Sequence, residues 1–291
     1  MNSASQEAYQ NYYFFLKICT LGRNLTKMNF QNKVVWITGA SSGIGEALSK
    51  ELSRLDALLI ISARNKEALE SVKSACQNSE NVWVLPLDLA AYDDFDNTVK
   101  KALNVYGRID ILVNNGGISQ RSFAKDTEIS VDKQIMEINY TGTIALTKAV
   151  LPHFLERKEG QIVVTTSIVG KIGTPLRSTY AASKHALHGF FDSLRAEVYN
   201  DNIDVTLICP GYVTTNVSMN ALQGDGTPQN SMDKATANGI EPERFARLMA
   251  KAIYKKKQEA YIAGAKEKLG FYVKRWVPKL YSYMVRKLSV T

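Results

Sequence analysis

Cysteine is scarce, with three residues in 291: Cys19, Cys76 and Cys209. They are scattered, odd in number and never spaced Cys-x-x-Cys, which excludes a disulfide scaffold and a structural zinc site. A reducing compartment fits, and a cytoplasmic location is expected. Histidine is as rare, and His153, His185 and His188 form no sequence cluster with carboxylates, so no metal is expected. No run approaches the roughly 20 apolar residues that a spanning helix requires. The aromatic stretch Tyr12-Tyr-Phe-Phe-Leu-Lys-Ile-Cys-Thr-Leu21 is interrupted by Lys17 and preceded by Glu7, which makes a poor signal peptide. Internal repeats and low-complexity blocks are also lacking.

What is present is bulk apolar content, 45% of the chain, enough for one large domain and too little for two generous ones. Apolar runs rich in β-branched residues recur at Val34–Thr38, Leu58–Ser62, Val82–Leu87, Ile109–Asn114, Gln161–Thr166, Val205–Cys209 and Tyr261–Ala263, with helix-period segments between them. Near-continuous rather than alternating hydrophobicity marks strands buried on both faces. Strand–helix alternation then predicts an α/β fold: a doubly wound parallel sheet of about seven strands with helices on both faces. The expected organisation is an extension over 1–27, a catalytic domain over 28–265 and a basic amphipathic tail over 266–291. Within the domain, residues 216–239 are rich in Asn, Gly, Ser, Thr and Met and too long for an ordinary connection, and they read as a lid.

The net charge of +8 would suit nucleic acid, an anionic membrane or an anionic cofactor. Its distribution decides between them. Residues 266–291 hold seven Lys or Arg against the single acid Glu267, so most of the excess belongs to the tail and no nucleic-acid partner is expected. There Leu269, Val273, Trp276, Leu280, Met284 and Leu288 recur at helical spacing, with basic residues elsewhere on the wheel and Pro278 as a break. An aromatic and polybasic helix suits peripheral contact with an anionic membrane. The same pattern would also serve packing on the domain or on a second subunit.

The run Thr38-Gly39-Ala-Ser41-Ser42-Gly43-Ile44-Gly45 joins the first strand to a helical pattern, which is where a dinucleotide diphosphate is held. Gly39 permits the tight turn, Gly43 lets backbone approach phosphate, Gly45 allows close helix packing, and Ser41 and Ser42 offer hydroxyls. The end of the second strand selects the cofactor. An acid there would accept from a ribose 2′-hydroxyl, whereas Ile60-Ile-Ser-Ala-Arg64 presents an arginine suited to a 2′-phosphate, and NADP(H) is favoured over NAD(H). Asp88, at the end of the third strand, would accept from an adenine amino group or cap the next helix. Asn115-Gly116 closes the fourth strand, where glycine leaves room for a cofactor and turn chemistry alone would also want it.

Tyr180 and Lys184, four residues apart, share one helix face, so the ammonium favours the phenolate and makes the phenol usable near neutral pH. Ser167 ends Gln161-Ile-Val-Val-Thr-Thr-Ser167 on the ligand-binding edge of the sheet, where it would meet a substrate oxygen or cap a helix.

In order and spacing, Thr38-Gly39-x-x-x-Gly43-x-Gly45, Asp88, Asn114-Asn115-Gly116-Gly117, Asn139, Ser167, Tyr180-x-x-x-Lys184 and Pro210-Gly211-x-x-x-Thr215 resemble the short-chain dehydrogenase/reductase family over residues 30–264. Gly116 departs from the family's usual alanine. Within the family, Asn114-Asn-Gly-Gly-Ile-Ser-Gln-Arg-Ser122 and Ser183-Lys-His-Ala-Leu-His-Gly-Phe-Phe191 are similar to the SDR family member 7 and 7B group. The resemblance implies a single-domain Rossmann oxidoreductase acting on a lipophilic carbonyl or alcohol and assembling as a homodimer or homotetramer. It implies Tyr180 as general acid or base, Lys184 on the nicotinamide ribose, Ser167 on the substrate oxygen and Asn139 fixing a relay water. Pro210, Gly211, Val213 and Thr215 would line the nicotinamide side. Two other readings compete: a soluble 3-oxoacyl thioester reductase, and an idle NADP(H)-sensing module, which would need no proton relay.

Overall fold

The computed structural model describes residues 28–287. The expected extension 1–27 and positions 288–291 of the tail, Leu288 included, lie outside the described residues.

All seven apolar runs become strands: β1 (Val34–Thr38), β2 (Leu58–Ser62), β3 (Val82–Val84), β4 (Ile111–Asn114), β5 (Gly160–Thr165), β6 (Ile203–Pro210) and β7 (Glu259–Ile262). They form one sheet in the order β3-β2-β1-β4-β5-β6-β7, with every pairing parallel. β3 stops at Val84 instead of running to Leu87. Main-chain bonds from Leu85 and Leu87 to Ile61 and Ala63 continue the path, but Pro86 between them has no N–H to donate.

Side chains alternate across each strand, and both faces are covered. Val35, Ile37, Leu59, Ile61, Val113 and Ile208 pack with α1 (Gly43–Arg54), α2 (Lys66–Ser74) and α7 (Pro242–Tyr254). Val34, Trp36, Ile60, Leu112, Ile162, Val164 and Leu207 pack with α3 (Phe95–Tyr106), α5 (Gly142–Arg157) and α6 (Ser178–Glu197) on the other face. Two apolar faces per strand explain why the runs are continuous in hydrophobicity. Trp36 resolves its one polar atom by donating from Nε1 to Ser62 Oγ at 2.9 Å.

The order reverses between β1 and β4, and that crevice lies at the carboxyl ends of the strands, the edge where parallel sheets bind ligands. Between α4 (Ile129–Met136) and α5 the chain makes a π-helical turn at Glu137–Thr141 that contains Asn139. Single π turns inside helices mark functional positions often.

Residues 216–239 lie over the loop that follows β4. Leu222 N donates to Ser119 O, Arg121 N to Leu222 O and Glu128 N to Gly224 O, and one helical turn forms at Lys234–Ala237. The tail forms α8 (Ala265–Trp276) and α9 (Pro278–Val285), broken before Pro278 because the residue preceding proline is pushed out of helical conformation. The structure divides the expected apolar stripe. Val273 packs on the domain with Phe271, Tyr281 and Val285, whereas Leu269, Trp276, Leu280 and Met284 remain exposed. The break turns the wheel, so Phe271 and Tyr281 face inward in place of part of the stripe.

Candidate active site

The dinucleotide turn is built around atoms that admit no side chain. Gly39 and Gly43 have φ of +63° and +59°, in the left-handed region. A Cβ on Gly39 would come 2.6 Å from Gly116 Cα, and one on Gly45 would overlap the Gly39 carbonyl oxygen. Ser42 caps α1 with backbone only and makes no side-chain cap bond, so the first-turn amides keep donors for an anion. Ser41 and Ile44 flank the same turn, and Thr215 Cγ2 would lie 3.0 Å from a Cβ on Gly43, which brings the Pro210–Thr215 segment over the glycine turn. These residues fit a dinucleotide diphosphate.

Thr38 and Asn115 hold the cradle. Thr38 Oγ1 accepts from Asn115 N and Gly116 N at 3.1 Å each, and Asn115 Nδ2 donates to Gly39 O at 3.2 Å. Asn115 Oδ1 accepts from Thr165 Oγ1 at 3.2 Å, so one amide ties β1, β4 and β5 together. A methyl on Gly116 would sit 2.7 Å from Leu89 Cδ1, the movable end of a side chain. Arg64 is exposed at the end of β2. Asp88 is exposed too, and its Oδ1 accepts from Ala90 N at 3.0 Å in an Asx turn, whereas the N-caps of the helical segments that follow are Ala91 and Asp94. Pro210 ends β6, Gly211 N donates to Ile262 O, and Val213 is buried beside Ile240.

The four expected catalytic residues converge from three elements. Tyr180 and Lys184 lie on α6, Ser167 follows β5 and Asn139 lies in the π turn. Ser167 Oγ accepts from Val169 N at 3.2 Å and donates to Pro210 O at 3.4 Å, and its hydroxyl pulls the Tyr180 phenol pKa down, so capping and site roles coexist. Asn139 Oδ1 accepts from Ile118 N at 2.8 Å, and its Nδ2 donates to Ile118 O and to Ser183 Oγ, on the helix of Tyr180. A Cβ on Gly117 would lie 2.9 Å from Asn139 Oδ1 and 3.5 Å from Lys184 Nζ, so the second glycine makes room for these two residues.

Lys184 lies on the ring side of Tyr180. Its ammonium is buried, donates to Thr165 O at 2.9 Å and lies 5.8 Å from the centre of the Tyr180 ring. Burial pulls its pKa down to about 8. For Tyr180, burial pushes the phenol up, and the opposing influences are the charge of Arg177, the Ser167 hydrogen bond and the charge of Arg121. Two arginines therefore stand near the phenol in addition to the lysine of the sequence pattern. Spacing carried no sign of Arg121, which comes from the loop after β4. Gln120 was missed for the same reason: its Oε1 accepts from Thr179 N and Tyr180 N at 2.9 and 3.2 Å, satisfying the start of α6.

His188, one turn beyond Lys184, joins Cys209 and Glu259 with ligand atoms within 4.8 Å of one another. Glu259 is already engaged by Lys171 at 2.6 Å, Tyr261 at 2.6 Å and His188 at 3.3 Å, and burial holds the Cys209 thiol protonated, its pKa up to about 12. The group is a buried tie between β6, β7 and α6. Its carboxylate is shared between Lys171 and Tyr261.

The short chain dehydrogenase family model matches residues 33–226. A "Dehydrogenase/reductase SDR family protein 7-like" of Anopheles gambiae is 43% identical over 94% of this chain and 88% of its own length. The human "Dehydrogenase/reductase SDR family member 7" is 42% identical, covering 88% of this chain and 77% of its own. The Xenopus laevis "Dehydrogenase/reductase SDR family member 7B" is 40% identical over 86% and 80%. Among solved structures, a short chain dehydrogenase/reductase from Burkholderia phymatum in complex with NAD superposes with a TM-score of 0.77 at 20% identity, over 87% of this chain and 96% of that one. With these relatives, the glycine turn and the Ser167–Tyr180–Lys184 convergence on one sheet edge, the chain belongs to the short-chain dehydrogenase/reductase family of oxidoreductases.

Proposed function

We propose that the protein is an NADP(H)-dependent oxidoreductase that interconverts a lipophilic carbonyl and its alcohol, with Tyr180 as general acid or base. The observation that carries this reading is the convergence of Ser167, Tyr180 and a buried Lys184, whose ammonium lies 5.8 Å from the Tyr180 ring, at the ligand-binding edge of the sheet. When bound, the nicotinamide supplies or accepts the hydride.

Ser167 Oγ holds the substrate oxygen next to the phenol, and Tyr180 gives that oxygen its proton in reduction and takes it back in oxidation. Lys184, whose ammonium has donors beyond the one spent on Thr165, binds ribose hydroxyls. Asn139 spends its side chain on Ile118 and Ser183, so a relay water there would be held by remaining lone pairs or by the main-chain carbonyl of the π turn. Gly39, Ser41, Ser42, Gly43, Ile44 and Gly45 receive the diphosphate, Arg64 the 2′-phosphate and Asp88 the adenine. The intact proton-handling set disfavours an idle sensing module.

The lipophilic assignment rests on the tail. Leu269, Tyr272, Trp276, Leu280 and Tyr283 are exposed by 58, 54, 78, 46 and 56% among Lys266, Lys268, Arg275, Lys279 and Lys287. Glu267 of α8 accepts from Tyr212 N at 3.2 Å, so this surface adjoins the loop after β6. Peripheral docking on an anionic membrane would place the site mouth at the lipid surface, a geometry with no use for a soluble thioester reductase.

The test is Tyr180→Phe. NADPH-driven reduction across a panel of steroid, retinoid and fatty carbonyls is expected to fall by roughly 10²–10⁴-fold or more, with NADPH binding nearly unchanged. Activity near wild type would overturn the assignment.

A further inference from the structure

Three charged side chains that this reaction does not use are buried together beside Tyr180. Arg121, Arg177 and Asp233 are 8, 7 and 3% exposed. Arg121 donates from Nε and Nη2 to Asp233 Oδ2 at 2.8 and 2.5 Å, and Arg177 Nη2 lies 3.6 Å from the same oxygen. One carboxylate oxygen therefore faces two guanidinium groups. Asp233 Oδ1 is held by Gln229 at 2.9 Å, and Arg121 Nη1 reaches Ser119 Oγ and Gln120 O.

The three residues come from three places. Arg177 is the N-cap of α6, one turn before Tyr180, and forms a parallel bridge with Ser122. Arg121 belongs to the loop after β4, whose Gln120 holds the Thr179 and Tyr180 amides. Asp233 belongs to the 216–239 segment, where its own amide donates to Ser218 Oγ at 3.3 Å. Buried ion clusters rarely improve stability over apolar packing, and charges placed beside a titrating group change its proton affinity.

We propose that Arg177 is a positioning residue for the Tyr180 proton: clamped between Asp233 and the first turn of α6, its guanidinium sets how readily the phenol ionises, and Asp233 ties that setting to the seating of the 216–239 segment. The inference rests on the reading of Tyr180 as the proton donor. The charged and titratable groups that face Tyr180 are Arg177 and Lys184 on its own helix, Arg121, Asp233, Tyr212 and, through Thr179, Asp132 of α4. Lys184 is committed to Thr165 on the ring side, whereas Arg177 stacks 5.3 Å from the Tyr212 ring and precedes Tyr180 by one turn. Arg177 is also the larger of the two arginine influences that oppose burial at Tyr180.

Ultraviolet titration of phenolate absorbance tests this. Each protein is compared with its own Tyr180→Phe version, which isolates one of the 14 tyrosines, both free and with NADP+ added. In Arg177→Gln, loss of the cation is expected to move the Tyr180 titration up by about one pH unit, and Arg177→Lys is expected to return it towards wild type. In Asp233→Asn, loss of the negative charge that faces both guanidinium groups is expected to move it down. A cluster that only pins the segment gives no such pair of opposite shifts. Unmoved titrations, or shifts of one sign in both variants, overturn the proposal. If Arg177→Gln does not fold, the downward shift in Asp233→Asn decides. Reduction of 9,10-phenanthrenequinone by the wild type with NADPH, against Tyr180→Phe, tests the underlying catalytic reading separately, since the titration needs no turnover.

Discussion

Arg64 shows how much one exposed side chain can decide. It stands at the end of β2. A charge-assisted bond from it to a 2′-phosphate would contribute about 1.5–3 kcal/mol, roughly 10- to 150-fold in preference. Arg64→Asp is therefore expected to move the ratio of kcat/KM for NADPH over NADH by at least that range towards NADH. A wild type that already prefers NADH would refute the role. Lys184 has a sharper signature. With its pKa pulled to about 8 by burial, it is charged below that pH and increasingly neutral above it, so ribose binding that uses the ammonium is expected to weaken as pH rises through about 8. Fluorescence titration of NADPH from pH 6 to 9 would show this, and Lys184→Met should flatten the profile.

At the scale of elements, the β1–α1 turn and the tail helices make opposite demands. The turn tolerates no added atom: in Gly45→Ala the new methyl overlaps the Gly39 carbonyl oxygen, so strain of about 1–3 kcal/mol is expected, read as a lowered melting temperature together with weakened dinucleotide binding. Full stability in that variant would mean that α1 can shift away from the sheet. The tail helices, by contrast, keep one side free. Leu269→Glu and Trp276→Glu alter only exposed positions and are expected to leave the unfolding free energy within about 0.5 kcal/mol of wild type. They should abolish sedimentation with anionic vesicles. Binding of the intact protein should weaken in salt, because each basic residue near an anionic surface contributes about 1 kcal/mol that screening reduces. Equal binding to neutral and anionic vesicles would remove the electrostatic anchor, and a change in sedimentation coefficient with no vesicle effect would assign the surface to subunit assembly.

Across the whole molecule, buried carboxylates tie separate layers together. Asp110 accepts from Val34 N and Arg157 at 2.8 Å each, linking β1 to α5; burial pushes its pKa up, but those bonds and Arg108 hold it below the usual value. Glu259 is held well below the carboxylate range by the His188 hydrogen bond, against burial, and then by Lys171 and Tyr261. Asp233, pushed up by burial, is brought below its usual value by Arg121, Gln229 and Arg177. Groups whose folded pKa is depressed contribute stability that is present above the unfolded value, about 3.9–4.3, and is lost as pH falls through the folded value. Urea unfolding is expected to show falling stability below about pH 4.5, with a smaller acid loss in Glu259→Gln. An unchanged acid profile in that variant would place the linkage elsewhere.

The residues themselves determined the sheet, because a strand covered on both faces must be apolar at consecutive positions, and Val34–Thr38 and Leu58–Ser62 became strands at the bounds their runs predict. They also determined the glycine turn and the Tyr180–Lys184 face, since each depends only on neighbours within one or two turns. Tertiary structure decided what depends on distant partners. It brought Asn139 to Ser183 through a π turn, divided the tail stripe at Pro278, committed Lys184 to Thr165, and set Arg121 and Asp233, 112 positions apart, in one buried ion pair beside the phenol. Charge acts through space over a few ångströms whatever the separation along the chain, so the pairing of Arg121 with Asp233 leaves no period or spacing in the sequence.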